Sequence, residues 1–171
     1  MNDRYARTIA PAGLVVGAVF GMAGTFAPSD AMRGLLWGID GTALVVATAL
    51  LTIHHFRRGN DVVAAGFLVF VAGETLILAG SAMELAATGP LFGAGVGLWA
   101  ASLALVSAPK VMPSWVRLVA VIAAVLFAVV ALQIFMQRPL MPLTQPLPFF
   151  AYPFLVVTLL GWAWVHYRNR A

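Results

Sequence analysis

The chain has no cysteine, one lysine, and charged residues at only 9% of its 171 positions. Each shortage excludes something. Without cysteine there is no disulfide, no thiolate metal ligand and no thiol redox chemistry. Charge this sparse cannot solvate the surface of a soluble domain. The basic residues are scattered among short segments, which argues against a nucleic-acid partner. No Walker loop, Rossmann glycine pattern, nucleophile elbow or HExxH is present, so no motif marks the chain as an enzyme or gives it a cofactor.

What is there is apolar. Hydrophobic residues make up 62% of the chain and mean hydropathy is +0.96. Runs of about 18 or more such residues read as bilayer-spanning helices. Six are expected, near 8–27, 34–56, 62–85, 91–108, 114–136 and 148–165. At about 1.5 Å per residue, each is long enough to cross a ~30 Å hydrocarbon core. A closed β-barrel is the other spanning solution, but Leu118–Leu132 is apolar all round rather than alternating. Turn chemistry separates the runs: Pro28-Ser29-Asp30, Arg57 to Asp61, Thr88-Gly89-Pro90, Pro109-Lys110 with Pro113, and a proline-rich stretch from Pro139 to Pro148. The expected fold is all-α, a polytopic six-transmembrane-helix bundle, with residues 1–171 as a single transmembrane domain.

Lys and Arg set the expected orientation. With both termini cytoplasmic, that side carries Arg4, Arg7, Arg57, Arg58, Lys110, Arg117, Arg168 and Arg170, and the other only Arg33 and Arg138. The first run is expected to persist as a helix, since cleavage after Ala27 would leave Pro28 next. Nine arginines to one lysine, with abundant Ala, Gly and Val, suggest a GC-rich genome and hence a bacterial inner membrane.

Lipid supplies no hydrophobic force between helices, so small residues mark close contacts. Gly13, Gly17 and Gly21 line one face of the first run, and Gly66, Gly73 and Gly80 recur every seven residues in the third. They are expected at helix contacts within the bundle, with a homo-oligomer contact through the first run as the alternative. Trp99 is expected near mid-span with its indole N–H bonded to a neighbour, and Trp162 in an interfacial belt.

Ionisable residues within spans are expensive there, and Asp40, Glu74 and Glu84 are the carboxylates concerned. Counting back from the turn at Gly59, Asp40 comes level with about Leu78, and Glu74 lies roughly 6 Å deeper. Both then lie in the outer half of the bundle, on adjoining helices. Arg33 and Arg138 are the outer cations within reach, Arg33 on the same helix face as Asp40. Thr42, Thr75, Ser81 and Gln133 would extend such a network. His54, His55 and His166 are expected at interfacial helix ends, with His54 and His55 about 100° apart and so not both facing one partner. Metal, or haem b held by one His from the second run and one from the sixth, is the lesser alternative for them.

Three functional classes follow. The first is a transporter- or channel-like protein passing a proton, ion or small solute through the polar pocket of Asp40, Glu74, Glu84, Arg33 and Arg138. The second is a non-catalytic accessory or assembly subunit of a larger membrane complex. The third is a membrane enzyme acting on a lipid or quinone. The expected partners are membrane lipid and either further copies of the chain or a larger membrane complex.

Overall fold

The computed structural model of the chain describes residues 3–81, 88–138 and 140–168, the first five by their backbone alone. Six helices run in order: α1 (Asp3–Thr25), α2 (Asp30–Phe56), α3 (Asp61–Ser81), α4 (Gly89–Ser107), α5 (Ser114–Phe135) and α6 (Tyr152–Arg168). Five of them, α1 to α5, are long and apolar enough to cross a membrane. Among the described residues there is no strand.

Local chemistry moves two boundaries from where hydropathy places them. α2 begins at Asp30 rather than near 34, because Ser29 caps it. The Ser29 hydroxyl accepts from the Met32 N–H at 3.2 Å, and Asp30 sits in the first turn, where negative charge suits the helix dipole. α6 begins at Tyr152 rather than 148. Pro146 and Pro148 disfavour helical conformation at the residues before them, so the segment closes into turns, with Phe150 N–H on the Pro146 carbonyl at 2.9 Å. The sixth helix is therefore 17 residues long, shorter than the run that predicted it. Gly59, at φ +69°, makes the tight return from α2 to α3.

Successive helices pack antiparallel, and α6 closes against α1 to complete a ring. Glycine lets the backbones approach. A Cβ added at Gly13 would lie 2.9 Å from the Ala47 Cβ, and one at Gly17 only 2.3 Å from a Leu44 methyl. One at Gly66 would lie 2.7 Å from Val106, and one at Gly73 2.9 Å from the Gly95 carbonyl. Gly80 is looser, 3.4 Å from Leu91. The α1 glycine face is thus covered by α2 of the same chain.

The outside of the ring is apolar. Leu118, Val125 and Leu132 are 58–62% exposed, seven residues apart along α5. The inside is layered. At one end, the basic end, lie Arg57, Arg58, Lys110, Arg117 and Arg168. At the other lies the proline-rich loop. Between them an aromatic layer fills the centre: Phe70 stacks on Trp99 at 5.9 Å, Trp99 meets Phe127 edge-on at 5.3 Å, and Phe67 meets Trp162 at 4.9 Å. Trp162 is fully buried in this layer instead of lying in a belt, because α6 turns that face toward α3.

Candidate functional site

Asp40 and Glu74 come together on the proline-loop side of the aromatic layer. They are 6% and 2% exposed, and both line one cavity of about 60 Å³. The helices that carry them touch where Gly41 leaves room: a Cβ there would lie 2.5 Å from Leu78 and 2.9 Å from the Glu74 Oε1. Tyr152, at the start of α6, donates its hydroxyl to Asp40 Oδ2 at 3.2 Å. Gly21 of α1 makes space for that bond, since a Cβ would stand 1.9 Å from the Tyr152 oxygen. Neither carboxylate makes an ion pair among the described residues. Asp40 Oδ1, Glu74 Oε2 and the Trp99 indole N–H are buried with no hydrogen-bond partner among them. The Trp99 indole nevertheless has the Glu74 carboxyl as the neighbour that its burial predicts, without closing a bond of normal geometry.

The remaining walls are largely aromatic: Trp37, Phe92, Trp99, Phe127, Phe149 and Tyr152. A second cavity of about 410 Å³ adjoins the first and shares Trp37, Ile77, Ser81, Phe92 and Pro142 with it. Asp30, Arg33, Thr88 and Met141 line its wider part. Among the described residues these adjoining cavities make a vestibule on the proline-loop side of the carboxylates.

Arg33 sits in that vestibule and does not reach Asp40. It pairs with Asp30 one helical turn away, bonds the Ala27 carbonyl at 3.3 Å, and lies 5.9 Å from the Trp37 ring centre. A nearby partner on the same helix wins over a distant one because it orders less side chain. Arg138 is exposed and lines neither cavity. Glu84 lies outside the described residues. The hydroxyls of Thr42, Thr75 and Ser81 each bond a carbonyl of their own helix, at 2.7–2.8 Å, so they do not extend a network between helices.

The histidines depart further from expectation. His54, His55 and His166 lie in the last turns of α2 and α6, at the helix ends expected, but are buried within the bundle at 7%, 4% and 6% exposure. They form one cluster: His166 lies 5.2 Å from the His55 ring and 6.0 Å from the His54 ring. Adjacent residues about 100° apart do face one partner when it sits in the groove between them. His55 Nε2 and His166 Nε2 are 3.0 Å apart, and His166 Nδ1 is 2.6 Å from the Trp162 carbonyl. A metal in line between two imidazoles would hold the nitrogens about 4 Å apart, two bonds of ~2.0–2.1 Å. The direct contact therefore does not fit a haem sandwiched by this pair. Among the described residues no three His, Asp or Glu are arranged to hold a metal ion.

Tyr152 and Trp37 escaped the sequence reading as site residues. Both look like interfacial aromatics by position, and only the ring closure of α6 on α1 brings Tyr152 to Asp40. Compared with family models, with curated proteins and with solved structures, the chain matches none.

Proposed function

We propose that the protein is a small polytopic protein of a bacterial inner membrane, with its basic end cytoplasmic, that admits a proton, ion or small polar solute to the Asp40–Glu74 pocket in a transporter- or channel-like manner. The observation that carries this is the pair of buried carboxylates at one cavity, each with one oxygen that has no bonded partner and neither with a paired cation among the described residues. Burying such groups for structure alone is costly without hydrogen bonds to offset desolvation. The vestibule supplies access from the side assigned as outside by the arginine distribution. Below the pocket the aromatic layer is closed, so passage requires a rearrangement of Trp99 and Phe127 rather than an open pore.

Reconstituted protein in vesicles with an internal pH dye tests the reading. Solute- or potential-driven proton or ion movement should appear in wild type and fall to the empty-vesicle level in Glu74→Gln, with the variant melting as a folded protein. Equal flux in wild type and empty vesicles across protons and small ions would overturn it.

A further inference from the structure

We propose that the pocket's ligand is a small monovalent organic cation carrying N–H donors, of the ammonium–guanidinium class. The inference deepens the proposed function and rests on its reading of the pocket as a ligand site. Charge decides the sign. Asp40 and Glu74 are close enough to repel one another, and among the described residues no basic side chain pairs with either. Two carboxyls this close do not both ionise, so the pair holds about one negative charge: a monovalent cation balances it, whereas an anion would be repelled and a neutral solute would leave it uncompensated in a buried site. Trp37, Trp99 and Tyr152 line the same cavity as the acids.

Hydrogen bonding selects within the cations. Asp40 Oδ1 and Glu74 Oε2 are buried acceptors with no bonded donor among the described residues. A carboxylate takes N–H donors of a charged group in short, strong bonds, and a planar guanidinium serves two acceptors at once. A quaternary ammonium offers none. Size points the same way. The cavity of about 60 Å³ has room for a few water-sized groups, or an ion of a few non-hydrogen atoms. Such a cation and a proton compete for the same oxygens, which couples ligand binding to proton release.

The test uses guanidinium, permanently charged at any usable pH, with purified wild-type protein in detergent and tryptophan fluorescence as the signal. Urea is the neutral control of the same shape, and tetramethylammonium the cation without N–H groups. Guanidinium should bind saturably at millimolar or lower concentration, at least about tenfold more tightly than either control, the discrimination expected of charge-assisted hydrogen bonds. Its affinity should fall as pH is lowered, and Glu74→Gln should lose about tenfold or more. Equal responses to guanidinium and urea, or none to guanidinium, would overturn the proposal. Because these comparisons use wild type, they stand even if the variant fails to fold. Vesicle flux separates the two readings: guanidinium binding without flux keeps the ligand class and removes transport, whereas proton flux without guanidinium binding keeps transport and removes the ligand class.

Discussion

The Tyr152 hydroxyl donates to Asp40 Oδ2 at 3.2 Å, joining residues 112 positions apart. The bond ties the first turn of α6 to the middle of α2 across the glycine face of α1. It is also the one side-chain hydrogen bond from another helix that Asp40 has among the described residues.

Tyr152→Phe should therefore leave Asp40 without a donor at either oxygen. Losing a buried hydrogen bond of this kind costs about 1–3 kcal/mol. A lower melting temperature in detergent is expected, and Asp40→Asn in the Tyr152→Phe background should add less than it does alone, because the two groups act as a pair. Additive effects of the two substitutions would show that the contact is energetically silent.

Glycines that look alike in sequence should respond oppositely. Gly21→Ala places a methyl 1.9 Å from the Tyr152 oxygen and 2.6 Å from Asp40 Oδ2. Neither neighbour is free to retreat without breaking the bond, so the variant should be destabilised. Gly34 has nothing within 4 Å of an added Cβ, and Gly34→Ala should be neutral or gain about 0.5–1 kcal/mol from helix propensity. Melting both variants side by side checks the contrast, and equal shifts would contradict the packing.

The histidine cluster has a defined hydrogen-bond direction when its rings are neutral. The Trp162 carbonyl can only accept, so His166 carries its proton on Nδ1 and presents Nε2 as an acceptor. His55 must then donate from Nε2, leaving its Nδ1 toward the Asn60 amide at 3.4 Å. Solid-state nitrogen NMR of labelled histidine should show His166 as the Nδ1–H tautomer and His55 as the Nε2–H tautomer. The reverse pattern would turn the Nε2–Nε2 hydrogen bond around and leave His166 Nδ1 without a proton for the Trp162 carbonyl, overturning the assignment. His166→Ala should leave a buried donor on His55 unpaired and lower stability by about 1–3 kcal/mol.

Topology is open to a direct check. Reporter fusions at Asn60, on the basic end, should read cytoplasmic, and fusions at Gly89, beside the vestibule, should read external. Both reporters on one side, or the inverse pattern, would remove the assignment of the pocket to the outer half.

Much of this was legible without coordinates. Helix number, the antiparallel α2–α3 hairpin and the similar depth of Asp40 and Glu74 follow from short-range quantities: hydropathy over one span, turn residues, and rise per residue counted from Gly59. Those quantities do not depend on what lies across the bundle. Local competition was harder to see. The start of α6 and the choice of Asp30 as partner for Arg33 depend on prolines and neighbouring charges that a hydropathy window averages away.

What the tertiary structure alone decided is which residues from distant helices meet. The sequence by itself determined an all-helical chain of six apolar runs, because that depends on composition and length; that five of the resulting helices are long enough to span a membrane came from the structure. The sequence also determined that small residues would sit at contacts, because lipid offers no other reason for them. It did not determine that Tyr152 reaches Asp40, that His55 touches His166, or that Trp99 and Trp162 are buried in one aromatic layer. Those follow from the rotation of each helix about its axis and from the closure of α6 on α1. Rotation is set by the summed fit of side chains across the ring, and in helices that are apolar all round, such as α5, no polar face announces it beforehand.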